Sequence, residues 1–290
     1  MRDGARLNTV RAFACVPAVI LTIPAMWTAA AQTPSAPDAD AIIRKSLTRD
    51  FFNYDSIRNY TYNEREEDRQ YTGDGKLKKT ESETDEILIL GGRPYDKRIA
   101  KNDQPLSESD ARHEQEKMDK ELTKREHMTG AERAKVEKDR AEERAYMREI
   151  PDAFSFKLLG EEKISGKPAW IIQADPKPGY RPKDSKAKLL TKVRGKIWID
   201  EGEYHWVKME AQVLDPISFG LGLFRIGQGG ILRFEQKRVN DEVWLPTHIF
   251  IRGDARLAYV KKMHAEIEVT YSDYRKFQSD SRIVSVDQKP

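Results

Sequence analysis

Cysteine is almost absent from this chain of 290 residues, because its one thiol is Cys15, near the N-terminus. Residues 1–31 have the pattern of a cleaved leader, so we expect a mature chain without any cysteine. Such a chain has no disulfide, no thiol catalysis and no cysteine metal site. The fold must then be stabilised by noncovalent interactions.

Long apolar runs are also scarce. The one clear run, residues 12–27, contains Pro17 and Pro24 and is shorter than the ~20 residues of a membrane-spanning helix. Basic residues precede it, and small residues at 29–31 follow it. This pattern predicts a signal peptide at residues 1–31, cleaved near Ala31, and export to the periplasm. A retained N-terminal anchor is the alternative.

An excess of one charge is missing too. The formal net charge is +3, and it falls to +1 when the leader takes away three arginines and Asp3. A nearly neutral chain offers no electrostatic footprint for a nucleic acid, so no such partner is predicted.

Motifs of catalysis and metal binding are missing as well. The five histidines have no spacing that places two on one face of a helix or strand. His113 and Glu114 begin a zinc-protease pattern, but Lys117 stands where its second histidine belongs. There is no nucleophile elbow or phosphate loop, and the glycines of residues 220–227 have the wrong spacing for a dinucleotide. We therefore predict a protein that is not an enzyme and has no cofactor and no metal. An enzyme remains the third hypothesis.

The most informative segment is residues 195–213, which has the pattern of two strands joined by a turn. Val207, Met209 and Ala211 alternate with polar residues, a period of two that predicts a sheet with one dry face. The turn at residues 200–203 supplies Gly202 for a positive φ.

Helical patterns occur in two places. After a flexible lead-in at residues 32–39, an amphipathic helix begins at Asp40, with Asp38 or Asp40 as its cap. Residues 107–149 are rich in both charges and predict two helices with a break near Thr129 and Gly130. Their apolar stripe is thin, so they form either a solvated insertion or an arm that binds a partner.

Strand patterns fill the rest of the chain. They run from residue 57 to 100 and again from 154 to 271, with turns predicted at 240–241 and 253–254. Strands joined by short turns must be antiparallel. The expected fold is α+β: a large, curved antiparallel sheet, a half-open β-barrel, with covering helices and a charged helical insertion. Residues 278–290 are expected to form a frayed tail.

One connection is unusually apolar. Residues 217–226 place six large apolar residues in a segment loosened by Gly220 and Gly222. Such a segment is either a mobile flap at the mouth of an apolar cavity, or a loop that touches a membrane, or an ordinary buried connection.

The strand pair with the sequences GKIWID (residues 195–200) and WVKM (206–209), together with the strand at 230–238, resembles the LolA/LolB-like superfamily. That group includes the outer-membrane lipoprotein-sorting proteins and the RseB-type envelope-stress sensors. The resemblance covers residues 40–277 as a single domain, with residues 107–149 as its insertion. It implies a helical lid over an apolar cavity that carries or senses an acyl chain without catalysis. The absence of a lipid-attachment motif favours a soluble periplasmic carrier.

Strand alternation and loop character together predict the cavity wall. The expected ligand-binding residues are Trp198, Val207, Met209, Phe219, Leu221, Phe224 and Ile267. The expected ligands are lipid or lipoprotein acyl chains, with transient membrane contact and an envelope protein as a further partner. In the alternative hypothesis the sheet is filled, no cavity exists, and the charged helices 107–149 bind that envelope partner.

Overall fold

The structure, a computed structural model, describes residues 37–219, 224–257 and 261–277. The predicted signal peptide, Leu221 and the predicted tail at 278–290 lie outside these residues. No helix among the described residues has the length and apolarity needed to span a membrane.

Four α-helices and two short 3₁₀-helices are present in the described part of the chain. The α-helices are α1 (Ala39–Ile57), α2 (Glu108–Glu126), α3 (Gly130–Glu143) and α4 (Ile150–Ala153), and the 3₁₀-helices are Ala145–Glu149 and Lys186–Lys192. Asp38 caps α1, since its side chain accepts a hydrogen bond from the Asp40 amide at 3.1 Å. Thr129 and Glu132 form a capping box that starts α3. Both helices of the charged segment 107–149 are therefore confirmed, with their break at the predicted place.

Thirteen strands form one antiparallel sheet. Their bounds are β1 (Tyr60–Tyr71), β2 (Leu77–Leu90), β3 (Arg93–Lys101), β4 (Gln104–Pro105), β5 (Phe154–Ile164), β6 (Lys167–Pro176), β7 (Val193–Asp200), β8 (Trp206–Val213), β9 (Ile217–Phe219), β10 (Phe224–Ile226), β11 (Ile231–Val239), β12 (Val243–Leu257) and β13 (Lys261–Lys276). Eleven of them follow the order β4-β3-β2-β1-β13-β12-β11-β8-β7-β6-β5, and the hairpin β9–β10 joins the sheet at β12. Within the described residues this path ends at β4 and β5, which do not pair with each other, so the sheet is open. The predicted α+β class and antiparallel sheet are confirmed.

The helix α1 closes the main core of the molecule. Its residues Ile42, Ile43 and Leu47 are buried against the face of the sheet that carries Ile172 and Ile199. Each fully buried isoleucine contributes about 1.5–3 kcal/mol of transfer free energy. We call this the helix face of the sheet.

The opposite face holds a smaller apolar cluster. It consists of Ala169, Trp198, Val207 and Trp244. The indole Nε1 of Trp198 donates a hydrogen bond to Glu162 at 2.7 Å, so this buried polar group is satisfied.

The two turns predicted at 240–241 and 253–254 have different outcomes in the structure. The turn after β11 is confirmed, because Asn240 and Asp241 both have positive φ, as the tightest hairpins require. The turn predicted at Gly253 is wrong, since β12 continues through it and Gly253 pairs with Ala265 of β13. A Cβ at Gly253 would lie 3.1 Å from Ile226 Cγ2 and 3.2 Å from Gly230 Cα, so this glycine serves the close approach of strands.

The turn between β7 and β8 is also built differently from the prediction. The residue with positive φ is Tyr204 and not Gly202. Asp200 holds the turn, because its carboxylate accepts a hydrogen bond from the Glu203 amide at 2.7 Å. Tyr204 thus has the positive φ that the sequence pattern assigned to Gly202, and the Asp200 side chain stabilises the turn by a hydrogen bond.

Candidate ligand-binding site

A cavity of about 340 Å³ lies between the helix face of the sheet and its short helices. Strands β5 to β8 and β11 form its wall, and α4 and the two 3₁₀-helices form its cover. The wall includes Phe154, Phe156, Ala174, Val193, Ile197, Trp206, Met209, Ala211 and Leu232, and the cover includes Tyr146, Met147, Ile150, Leu189 and Leu190. Its lining is almost entirely carbon, and its volume falls within the range of about 300–1,000 Å³ found for ligand pockets.

Strand alternation explains the wall. On β5 Phe154 is buried and Phe156 half-buried, whereas Ser155 and Lys157 are exposed. On the neighbouring strands Ile197 lies opposite Met209, and Ala211 lies opposite Leu232. The wall is thus one continuous apolar surface across the strands.

Gly195 lets two of these strands approach closely at the cavity. A Cβ at this position would lie 2.5 Å from the carbonyl oxygen of Glu210 and 3.3 Å from Ala211 Cα. Since no side chain fits there, a larger residue must push β7 and β8 apart.

A buried carboxylate holds the cover together. Glu149 accepts hydrogen bonds from the backbone amides of Lys183 at 2.9 Å and Asp184 at 3.0 Å, and from the Tyr180 hydroxyl. The Lys183 amide, with the other two donors, lowers the pKa of Glu149 below its ordinary value. The same carboxylate and, above all, burial raise the pKa of Tyr180. The cover is therefore an ordered element and ties the loop at 180–184 to the first 3₁₀-helix.

Helix α1 is anchored beside the cavity by polar contacts. The indole Nε1 of Trp206, whose ring lines the cavity, donates to Ser46 at 2.9 Å. Asn53 exchanges two hydrogen bonds with the backbone of Trp244, at 2.6 and 2.7 Å. Asp50 forms an ion pair with Arg144, at the start of the cover. These contacts fix the position of α1 relative to both the sheet and the cover.

The structure separates the predicted site residues Val207 and Met209. Trp198 pairs with Lys208 and Ile199 with Trp206, so β7 has no residue opposite Val207. This extra residue is a β-bulge, which interrupts the period of two on which the prediction rested. Met209 therefore lines the cavity, whereas Val207 packs with Trp198 on the opposite face. The assignment of Trp198 and Val207 to the cavity wall is corrected accordingly.

Of the remaining predicted site residues, the structure locates some and does not describe others. Phe219 and Phe224 pair across the β9–β10 hairpin, and nothing further is described of their side chains. Leu221 lies outside the described residues. Ile267 lies on β13, opposite Ile251 and three strands away from Met209, so it is not part of this cavity. Ile217, at the start of the same apolar loop, is buried and lines the cavity.

Several residues that line the cavity were not predicted from the sequence. Leu189 and Leu190 follow a lysine-rich loop, and Met147 and Ile150 follow the charged helices. In the sequence these residues form short apolar groups at the end of polar segments. Such groups also occur wherever a helix or strand begins, so the pattern does not identify a cavity. In the described parts of the chain, no group of three or more His, Cys, Asp or Glu side chains is arranged to hold a metal ion.

The fold and the site describe an α+β protein with an apolar cavity under short helices, and comparison with solved structures gives several matches of low identity. A domain of an outer membrane lipoprotein-sorting protein from Vibrio parahaemolyticus is 14% identical, the match covering 85% of this chain and 96% of that one, with a TM-score of 0.33. A LolA superfamily protein from Nitrosomonas europaea is 12% identical, with coverages of 84% and 94% and a TM-score of 0.29.

A third match comes from the MucA/MucB complex of Pseudomonas aeruginosa, at 9% identity, coverages of 84% and 100%, and a TM-score of 0.24. Protein-family models and curated proteins give no match to the chain. The similar structures thus include a LolA superfamily protein and a lipoprotein-sorting domain, the kinds of protein that the sequence resemblance named. At these identities and TM-scores the matches carry no conclusion about the family of this chain.

Proposed function

We propose that this protein carries or senses an acyl chain of a lipid or lipoprotein in the periplasm, without catalysing a reaction. The observation that supports the proposal is the cavity of about 340 Å³, whose lining is carbon on both wall and cover. The periplasmic location rests on the predicted leader at residues 1–31.

The chemistry of the cavity favours an alkyl chain. Each methylene group that leaves water for an apolar site gains about 0.8 kcal/mol. A polar ligand would instead lose its hydrogen bonds to water and find no partner on this lining. Because the volume lies near the lower end of the usual range, the cavity fits part of one chain rather than a complete diacyl lipid.

Binding of a dansyl-labelled fatty acid to the delipidated protein tests the proposal. Ala211→Trp places an indole inside the cavity and should weaken binding at least about tenfold. Ala134→Trp adds the same indole to the exposed surface of α3 and should leave the affinity unchanged. Circular dichroism reports whether both variants are folded. Equal affinity of the two variants, or no binding by the unmodified protein, contradicts the proposal.

A second candidate function is binding of an envelope protein by the charged helices. No residue of α2 is buried, and on α3 the side chains of Lys138 and Glu142 are 74% and 62% exposed. The variant Lys135→Glu/Lys138→Glu should then remove a co-purifying partner while fatty-acid binding persists. An unchanged pull-down pattern would reject this second candidate.

A further inference from the structure

A second pocket, of about 470 Å³, lies under the charged helices and shares no lining residue with the apolar cavity. Its apolar part includes Ile57, Tyr62, Ile87 and Val136. Four arginines, at positions 58, 93, 125 and 140, surround this surface, together with Asp139. We call it the arginine pocket.

Arg125 fixes one side of the arginine pocket. Its Nη1 donates to the carbonyl oxygens of Leu90 at 3.0 Å, Arg93 at 2.9 Å and Pro94 at 3.1 Å. Its Nε forms an ion pair with Glu121 at 2.6 Å, and the side chain is only 11% exposed. Arg125 thus fastens the end of α2 to the turn between β2 and β3 and has little capacity left for a ligand.

Arg58 fixes a second side. Its Nη2 lies 3.1 Å from both the Gly92 carbonyl oxygen and the Glu137 carboxylate. These contacts connect the end of α1, the β2–β3 turn and α3. The pocket is therefore framed by ordered contacts on both sides.

Arg93 is the exception among these side chains. The acceptor of its guanidinium is the thioether sulfur of Met128, at 3.1 Å. Sulfur is a weak acceptor, and within the described residues no carboxylate forms an ion pair with Arg93. The hydrogen bond from Arg125 and, to a smaller extent, the charge of Arg93 lower the pKa of Glu121, so one carboxylate lies near the Arg93 guanidinium without bonding to it. Since the half-buried guanidinium donates to the Met128 sulfur and to no carboxylate of the described residues, it retains most of its capacity to donate hydrogen bonds.

We propose that the arginine pocket binds an anionic head group, a phosphate or carboxylate, attached to an apolar or aromatic body. Arg93 would donate to the anion, and the body would lie on Tyr62, Ile87 and Val136. The planar guanidinium fork matches phosphate and carboxylate oxygens in a bidentate way. This site is independent of the acyl-chain proposal, because its residues are different.

Phenyl phosphate is the probe, and the methyl signals of Ile87 and Val136 in NMR spectra of the full chain give its affinity. We expect saturable shifts, and an affinity that falls at least about tenfold in Arg93→Gln. Arg112→Gln, which removes an exposed arginine of α2 outside the pocket, should leave the affinity unchanged. Arg93→Lys keeps the charge but loses the fork, so its affinity should lie between the two.

Neutral benzyl alcohol tests whether the anion is needed, and it should bind at least about tenfold more weakly than phenyl phosphate.

Vesicles of phosphatidylcholine with and without phosphatidylglycerol separate a lipid head group from a free anion. Binding to the anionic vesicles that depends on Arg93 assigns the site to lipid, and binding of phenyl phosphate alone assigns it to a soluble anion. The proposal is overturned if benzyl alcohol binds as tightly as phenyl phosphate. It is also overturned if Arg93→Gln binds both phenyl phosphate and the anionic vesicles as tightly as the unmodified protein does. The Ala211→Trp variant should retain phenyl phosphate binding, because Ala211 is not part of the arginine pocket. Failure of the acyl-chain proposal can therefore be distinguished from failure of this one.

Discussion

Lys208 and Met209 are neighbours on β8 that lie on opposite faces of the sheet. The Lys208 Nζ lies 4.6 Å from the Trp198 ring centroid, whereas Met209 lines the cavity. Beyond the bulge at Val207 the two pair in regular register with β7, Lys208 with Trp198 and Met209 with Ile197. Two adjacent positions thus offer a direct test of the site at the scale of single residues.

A ligand in the cavity should shield position 209 and leave position 208 accessible. With Cys15 replaced by serine, we expect the thiol of Met209→Cys to react slowly with a maleimide, and more slowly still when a fatty acid is bound. The thiol of Lys208→Cys is the matched control and should react at the same rate with and without fatty acid. Protection of position 208, or none at 209, would place the ligand elsewhere.

Glu149 predicts a pH dependence of stability. Its folded pKa lies below its unfolded value of about 4.3, so the stability that it contributes is present above that pH. This contribution is lost as the pH falls through the folded pKa. We expect Glu149→Gln to lower the free energy of unfolding in urea at neutral pH, and the difference from the unmodified protein to shrink in acid. The exposed Glu142→Gln is the control, and a difference at position 149 that stays constant with pH would contradict the assignment.

Helix α1 is the element that connects the sheet with the cover. Asn53 satisfies both the amide and the carbonyl of Trp244 in a buried environment. Its replacement by alanine leaves two buried polar groups unpaired, at about 1–3 kcal/mol each. Asn53→Ala should therefore lower the free energy of unfolding by at least about 2 kcal/mol. Thr48→Ala, on the exposed side of the same helix, should change it by less than about 0.5 kcal/mol.

Elements with a strong local signal could be predicted from the sequence. The capping signals of α1 and α3 and the Asn240–Asp241 turn depend on residues close in sequence, and the structure has all three. The prediction at Gly253 was wrong because the sequence alone does not distinguish a glycine in a turn from a glycine between closely packed strands. Only the contact with Ile226, which is distant along the chain, distinguishes the two.

The cavity could be predicted less well than the fold. Alternation predicted Val207 and Met209 on one face, but the bulge at Val207 is set by pairing with β7 and carries no signal within β8 itself. The cover residues Leu189 and Leu190 follow a segment that is polar in sequence, and Glu149 binds the backbone of that segment at Lys183 and Asp184. A site assembled from segments far apart in the chain requires the three-dimensional structure.

At the scale of the whole molecule, the acyl-chain proposal predicts how affinity changes with ligand length. A gain of about 0.8 kcal/mol per buried methylene corresponds to about fourfold in the dissociation constant. We expect calorimetric affinities of saturated fatty acids to rise by this factor for each added methylene and then to level off when the cavity is full. An affinity that is independent of chain length would show that the head group, and not the chain, is bound.

Native mass spectrometry of the protein purified from its own envelope tests the central claim most directly. The account predicts an adduct with the mass of a lipid or acylated species, which organic extraction removes and incubation with a fatty acid replaces. The Ala211→Trp variant should carry much less of it, and the Ala134→Trp control should carry as much as the unmodified protein. A bare mass that takes up no fatty acid, or an adduct that is equal in both variants, would contradict the account.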